Sequence, residues 1–231
     1  MNDIKENIAE VKERIRNAAA SAGRSAEDVR LITVTKTVDA ERIKEAIACG
    51  AYEIGENRVQ EILEKYDALK DKAEIHLIGH LQTNKVKYII DKVKLIHSVE
   101  SLDLVKEIDK RAKKADKIQD ILIEVNVSGE ESKFGIKPEA AKEFVYSAAE
   151  FENVKVCGLM TVAPYGLAED DLRRIFSSLR KISLDIESEN IHTVSMKELS
   201  MGMTGDYEAA IKEGATMVRI GTGIFGKRNY L

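Results

Sequence analysis

The sequence predicts an α/β protein: a single domain whose eight parallel strands, each followed by a helix, close into a (β/α)8 TIM barrel. Short apolar, β-branched segments alternate with amphipathic helical segments along the whole chain. Eight such units fit into 231 residues, which is near the lower end for this barrel. The segments 46–51 and 210–215 also share one pattern, in which a helix ends at a glycine and a strand follows. Periodicity alone leaves a doubly wound open sheet as the second choice.

The first predicted element is an amphipathic helix that precedes the barrel. Apolar residues recur every three or four positions from Ile4 to Ile15, with charged residues between them. We expect this leading helix to span 1–22 and the barrel to span 30–226, in one domain covering 1–231.

The first strand and its helix set the pattern for the rest of the chain. Residues 31–35 are apolar and β-branched, as in a strand buried on both faces. Asp39 can cap a helix over 40–49, and Gly50 follows where a helix commonly ends. The other strands are predicted at 51–55, 75–79, 95–99, 121–127, 154–160, 192–199 and 217–220. Further helices are predicted at 58–69, at 84–90, from 102, after Pro138 and along 172–182.

Composition excludes several classes of protein. The 36 basic and 40 acidic residues give a net charge of −4, which argues against a nucleic-acid partner. Cys49 and Cys157 are too few for a disulfide framework, so a reducing compartment is expected. No secretory signal and no membrane-spanning apolar run are visible. We therefore expect a cytoplasmic protein without a membrane partner.

The polar residues that follow the predicted strands mark the active end of a barrel. They include a lysine, an arginine and several neutral hydrogen-bonding groups, with no pair of carboxylates placed as acid and base. They contain no His/Cys/Asp cluster at metal-binding spacing, so no metal site is predicted. These residues are Lys36, Glu56, Asn57, His80, Asn126, Ser128, Thr161, Ser200, Arg219 and Thr222.

Lys36 is the most informative of them. An ammonium at the end of a buried strand loses hydration, and this favours the neutral, nucleophilic amine. Such an amine can form a Schiff base with a carbonyl compound. The plainer interpretation is a lysine whose stem lies along the strand end and whose charge reaches solvent.

The two glycine-containing turns near the end of the chain form a second signal. Residues 199–203 and 219–223 follow the last two strands, where barrels commonly bind phosphate. Glycine allows close approach of the backbone, and Ser200 and Thr222 add hydroxyls. Arg219 stands in an otherwise apolar strand, where a guanidinium needs a partner: a salt bridge, or a ring nitrogen opposite Lys36. A tight turn without ligand is the alternative.

Several motifs in order along the chain carry a family resemblance. They are Thr35-Lys36-Thr37, residues 54–61 (IGENRVQE), 76–85 (HLIGHLQTNK), 158–161 (GLMT), 199–206 (LSMGMTGD) and 219–222 (RIGT). With these motifs the chain resembles the pyridoxal phosphate homeostasis proteins, also called the PROSC or PLP-binding protein family. The likeness runs from the leading helix to Gly226.

The resemblance implies a barrel of fold type III, like the N-terminal domain of alanine racemase, that holds pyridoxal 5′-phosphate (PLP). It implies that Lys36 forms the Schiff base, that Arg219 faces the pyridine nitrogen, and that the phosphate-binding segments include Ser200, Gly221 and Thr222. Asn57, His80 and Met201 stand in motifs that approach the cofactor.

The resemblance also implies a binding protein of vitamin B6 homeostasis without established turnover, which buffers PLP or transfers it to apo-enzymes. No segment for the second, tyrosine-donating domain of alanine racemases is visible, which favours a holder over a catalyst. A PLP-dependent racemase or lyase is the alternative, and a Schiff-base aldolase acting on a phosphorylated sugar is the third hypothesis. We expect a monomer.

Four other features are assigned structural roles. His76 and His97 lie in apolar strands and are expected to be satisfied core histidines. The loop 128–135 is long enough to move over the barrel mouth. A solvated loop is expected, and contact of its Lys133 with substrate or incoming PLP is the alternative. Met201 and Met203 are expected to pack under the phosphate-binding turn.

Overall fold

The computed structural model describes residues 3–130 and 132–226. The strands in these ranges are parallel and form a closed barrel. The strands pair in chain order, and the last pairs with the first. This closure confirms the predicted barrel and excludes the open sheet. The strands are β1 (Arg30–Val34), β2 (Glu53–Glu56), β3 (Glu74–Leu77), β4 (Leu95–Val99), β5 (Gln119–Glu124), β6 (Val154–Met160), β7 (Glu198–Met203) and β8 (Met217–Ile220).

Helices alternate with these strands and cover the outside of the barrel. None of the helices in the described ranges is both long and apolar enough to cross a lipid bilayer. The α-helices are α1 (Ile4–Ser21), α2 (Ala40–Ala48), α3 (Val59–Leu69), α4 (Leu102–Lys114), α5 (Ala141–Ala148), α6 (Glu169–Ser188), α7 (Tyr207–Lys212) and α8 (Thr222–Phe225). Short 3-10 helices cover Ala26–Asp28, Thr83–Tyr88 and Pro138–Ala140.

The leading helix α1 forms as its periodicity predicts. The side chain of Asp3 caps it by accepting a hydrogen bond from the backbone N–H of Lys5. Its apolar face, from Ile4 to Ile15, is buried against α2, α7 and α8. The helix therefore belongs to the outer layer of the barrel.

Several elements differ from the sequence prediction in type or bounds, and β5, for example, ends at Glu124 rather than at 127. The helix predicted at 84–90 is a 3-10 helix, Thr83–Tyr88. The N–H groups of Lys85 and Ile89 donate to the carbonyls of Gln82 and Val86, three positions earlier, which is the hydrogen-bond pattern of a 3-10 helix.

Strand β7 begins at Glu198, later than the predicted 192–199. The N–H groups of Thr193 and Val194 both donate to the carbonyl of Ile191, which makes a turn of the preceding residues. The start of β7 lies against Gly158 of β6. A β-carbon at position 158 would stand 1.9 Å from the carbonyl oxygen of Glu198, so the two strands approach closely at this glycine.

The apolar core has two parts. The larger part fills the space between strands and helices. A smaller cluster fills the middle of the barrel and consists of Ile32, Leu95, Leu122, Met160 and Met217, with Ile78, Cys157 and Val162 packed against it. Successive strand residues point to opposite faces, so a residue two positions before or after a member of this cluster on the same strand also points inward. Polar residues at those positions project into the two mouths of the barrel.

Candidate functional site

Lys36 stands in a turn at the carboxyl-terminal mouth, two residues after the end of β1, and is half-buried. Both of its neighbours are fixed. The N–H of Thr35 donates to the carbonyl of Gly55 at 3.0 Å, and the N–H of Thr37 donates to Oε2 of Glu61 at 2.6 Å. Thr37 has φ 62°, in the left-handed region. The backbone that carries the lysine is therefore anchored on both sides.

A buried ion cluster supports this turn from β2 and α3. Nζ of Lys65 donates to the carbonyl of Thr35 at 2.9 Å, to Oε1 of Glu56 at 2.8 Å and to Oε2 of Glu61 at 3.0 Å. Burial raises the pKa of Glu56, while hydrogen bonds from Lys65 and Thr35 oppose that rise. Because Lys65 bonds to the carbonyl of Thr35 and to both carboxylates, the cluster acts as a scaffold for the Lys36 turn.

Arg219 is the buried cation of the same mouth. It projects from β8 and is 4% exposed, with Nη1 donating to Oγ of Ser200 at 2.6 Å and Nη2 donating to the carbonyl of Thr161 at 2.8 Å. Burial lowers its pKa to about 10, against the opposing charges of Glu124 and Asp206. The guanidinium therefore keeps its proton at neutral pH.

Glu124, the last residue of β5, is a site residue that the sequence analysis did not select. It is 6% exposed, and burial raises its pKa to about 7, with Glu100 raising it further and Arg219 lowering it. Its position is the signal that could have identified it. Glu124 is a carboxyl group at the end of an apolar strand, two positions after the inward-facing Leu122.

The turns after β7 and β8 lie against each other. Oγ1 of Thr222 donates to Oγ1 of Thr204 at 3.1 Å, and the N–H of Gly223 donates to the same oxygen at 3.4 Å. Gly223 has little free space, because a β-carbon there would stand 3.2 Å from Cγ2 of Thr204. Thr204 belongs to the quoted 199–206 motif but was not singled out. These turns offer hydroxyl and backbone N–H donors at one place.

A chain of hydrogen bonds leads from Ser200 into the barrel. Oγ of Ser200 lies 2.9 Å from Nδ1 of His97, and Nε2 of His97 lies 2.9 Å from Nδ1 of His76. Burial lowers the pKa of His76 to about 3 and that of His97 well below its usual value. Both imidazoles are therefore neutral, but only His97 is bonded at both nitrogens, which corrects the expectation for His76.

His80 and the loop 128–135 meet at the outer edge of the mouth. Nδ1 of His80 lies 2.8 Å from Oε1 of Glu100, and the N–H of Gly135 donates to Oε2 of the same carboxylate at 2.6 Å. The ring of Phe134 stacks on His80 with centroids 4.4 Å apart. Glu131 of this loop lies outside the described residues. The rest of the loop is thus fastened beside the mouth.

The predicted site residues divide into two groups. Those at the carboxyl-terminal mouth are Lys36, Asn57, His80, Ser200, Arg219, Gly221 and Thr222. Met201 does not share that surface, because its fully buried side chain belongs to the core between strands and helices. It alternates with the inward-facing Ser200, so only its backbone can face the mouth.

The fold and this mouth define the class of protein. The sequence model described as "Alanine racemase, N-terminal domain" matches residues 4–229, so the chain is a barrel of that class. The solved alanine racemase of Clostridium difficile shares the fold, with a TM-score of 0.77 at 16% identity over 97% of this chain and 56% of the racemase.

More similar relatives cover the full length of the chain. The pyridoxal phosphate homeostasis protein of Aquifex aeolicus is 50% identical over 97% of this chain and 98% of its own length. The structure of PipY from Synechococcus elongatus with PLP bound has a TM-score of 0.84 and 30% identity, over 97% of this chain and all of PipY. The chain belongs to the pyridoxal phosphate homeostasis protein family.

Proposed function

We propose that this protein binds PLP at the carboxyl-terminal mouth of its barrel and holds it reversibly, as a buffer and a source of cofactor for apo-enzymes. The observation that carries the proposal is one lysine on an anchored turn, at the same mouth as a fully buried arginine and hydroxyl-lined turns. We place this function in the cytoplasm and in a monomer.

The donors at the mouth fit the three functional parts of PLP. The amine of Lys36 suits the aldehyde, and Arg219 suits the pyridine nitrogen. Thr204, Gly221 and Thr222 supply hydroxyl and N–H donors suited to a phosphate. When bound, PLP supplies an electrophilic carbonyl and an electron-accepting ring.

Arg219 favours holding over turnover. Its guanidinium stays protonated, so beside a ring nitrogen it donates a hydrogen bond and leaves that nitrogen without a proton. A neutral ring withdraws electrons more weakly than a protonated one, which slows carbanion chemistry. The name of the Aquifex relative and the PLP bound in PipY support the same function.

Glu124 supports a second candidate, a PLP-dependent racemase or lyase. A carboxyl with a pKa near 7 at the mouth has the properties of a general acid or base. Incubation of the PLP-loaded protein with amino acids in D2O separates the candidates. Exchange of the α-proton at enzyme-like rates that require both Lys36 and Glu124 supports catalysis, and no exchange above free PLP supports the holder.

Covalent trapping tests the main proposal. Borohydride reduction of the PLP-loaded protein is expected to add the mass of reduced PLP to the peptide that contains Lys36. Lys36→Ala should lose this adduct and the yellow absorbance, and should bind PLP on the order of 100-fold more weakly, about 3 kcal/mol.

Lys133→Ala is the matched control, because it removes another lysine near the same mouth. It should retain the adduct and the colour. An adduct on a lysine other than Lys36, or a colourless protein at saturating PLP, contradicts the proposal. A colourless protein that traps a phosphorylated sugar on Lys36 supports the aldolase hypothesis instead.

A further inference from the structure

The amino-terminal mouth of the barrel, opposite the proposed cofactor site, brings two carboxylates and a histidine together. Glu53 of β2 and Glu74 of β3 are direct partners in the strand register. His76 follows Glu74 by two positions, so its side chain points to the same face. The potential ligand atoms of these three residues all lie within 4.8 Å of one another.

The two ring nitrogens of His76 differ in their hydrogen bonding. The residue is fully buried, and its Nδ1 is occupied by His97. Its Nε2 has no hydrogen-bond partner among the residues that the structure describes, although it points into the cluster, 3.5 Å from Oε2 of Glu53. A buried imidazole nitrogen without a partner is costly, and a metal ion would satisfy it.

The charges of the cluster also favour a cation. Acidic residues directly opposite each other on neighbouring strands repel. Arg30 offsets part of this charge, with Nη1 3.4 Å from Oε2 of Glu53 and Nη2 2.7 Å from Oε1 of Glu198. Within the described ranges no ion pair involves Glu74, which is exposed at the mouth. Lys94 adds a second positive charge near Glu53, and the carboxylates of Glu53, Glu74 and Glu198 still outnumber the two neighbouring cations.

We propose that Glu53, Glu74 and His76 bind a divalent transition-metal ion of the Zn²⁺ type at the amino-terminal mouth. Imidazole nitrogen and carboxylate oxygen are common ligands of Zn²⁺, and three protein ligands leave a fourth position for water. The hydrogen bond from His76 to His97 supplies the outer support that metal-bound histidines ordinarily have.

Metal binding fixes the protons of the buried histidines. A metal on Nε2 of His76 requires its proton on Nδ1, where it donates to Nε2 of His97. His97 then carries its own proton on Nδ1 and donates to Ser200, which also accepts from Arg219. Both histidines are therefore expected to be Nδ1–H tautomers in the metal-bound protein.

Zinc titration of the cofactor-free, chelator-treated protein tests the site by calorimetry and native mass spectrometry. The wild-type chain should bind one Zn²⁺. Glu74→Gln should weaken binding roughly tenfold or more, because it removes one of three ligands at an exposed position. His192→Gln is the matched control, since it removes an exposed histidine that does not belong to the cluster, and it should bind as the wild type does.

Two results would overturn the proposal: no stoichiometric zinc binding by the wild type, or binding that Glu74→Gln leaves unchanged. The second would place the metal elsewhere, for instance at His80 and Glu100. His76→Gln should abolish binding, and circular dichroism checks that it folds. Histidine ¹⁵N spectra give an independent readout, since zinc should drive His76 and His97 to the Nδ1–H form. Without PLP in the assay, this test is independent of the proposed function.

Discussion

The two mouths of the barrel differ in the burial and the balance of their charged groups. At the carboxyl-terminal mouth a guanidinium is buried among hydroxyl and carbonyl groups, with Glu124 as a carboxyl of raised pKa. At the amino-terminal mouth the partly exposed or exposed carboxylates outnumber the neighbouring Arg30 and Lys94. The apolar cluster around Leu122 lies between them. We therefore propose one parallel barrel that binds an anion at one end and a cation at the other.

Arg219 and the two buried histidines are accommodated in the interior in different ways. Arg219 is held by two short hydrogen bonds and opposing carboxylates. His76 and His97 are tolerated differently: burial keeps them neutral. A charged group in this interior therefore needs bonded partners, and an imidazole gives up its charge instead.

The largest expected effect comes from removing the buried cation. Arg219→Met leaves Oγ of Ser200 and the carbonyl of Thr161 without their donor, and Glu124 without its opposing charge. We expect a loss of about 3–5 kcal/mol in the free energy of unfolding, measured in urea.

Arg14→Met is the control for this prediction. Arg14 pairs with Glu208 at the surface and its side chain is 51% exposed. Its loss should cost less than about 1 kcal/mol. Similar effects for the two variants would show that the carboxyl-terminal mouth does not depend on its buried charge.

A pH-dependent effect of intermediate size is expected for Glu124→Gln. Burial raises the pKa of Glu124 from 4.5 to about 7, so the folded state favours the protonated form. The contribution of Glu124 to stability is therefore largest below pH 4.5, declines as pH rises to about 7, and is constant above that. Removing the charge should stabilise the protein at pH 8 by up to about 3 kcal/mol and have little effect at pH 4.5.

The buried histidines sharpen this test because their contribution to stability changes with pH in the opposite direction to that of Glu124. The pKa values of His76 and His97 are lowered by burial, so their contribution is lost as pH falls below about 6.5. Denaturation between pH 5 and 8 should show a steeper rise of stability in Glu124→Gln than in the wild type. Glu41→Gln, at an exposed position, should follow the wild type; equal slopes in all three would refute the assignment.

The smallest effect is expected at the contact between the two turns. Thr204→Val removes the oxygen that accepts from Thr222 and Gly223 and takes one donor from the proposed phosphate site. PLP affinity, measured by spectral titration, should fall by about threefold to tenfold. Thr193→Val, in a remote turn, should leave the affinity unchanged.

The fold followed from local patterns, whereas part of the site depended on register. Strand and helix periodicity located Lys36 and Arg219 at strand ends, and closure of the barrel placed them at one mouth. The pairing of Glu53 with Glu74 was not predictable, because it depends on the register of two strands 21 positions apart in the chain.

Side-chain direction explains one other difference, and the position of a strand end explains a second. Met201 stood in a predicted binding motif, but strand alternation turns its side chain to the core. Glu124 was missed because the strand prediction ran on to 127, whereas β5 ends at Glu124 and the chain then bonds locally, from Asn126 to Ile136. Strand ends are set by such competing bonds, which composition does not reveal.

The fastening of segment 128–135 has a kinetic consequence. It is held to the mouth by the bond from Gly135 to Glu100 and by the stacking of Phe134 on His80, contacts worth about 1 kcal/mol each. Detachment of these contacts disrupts far fewer bonds than disruption of a strand, and openings of this kind occur within microseconds to seconds. If the loop covers the proposed site, we expect a guest molecule to be exchanged many times during the lifetime of an intact barrel.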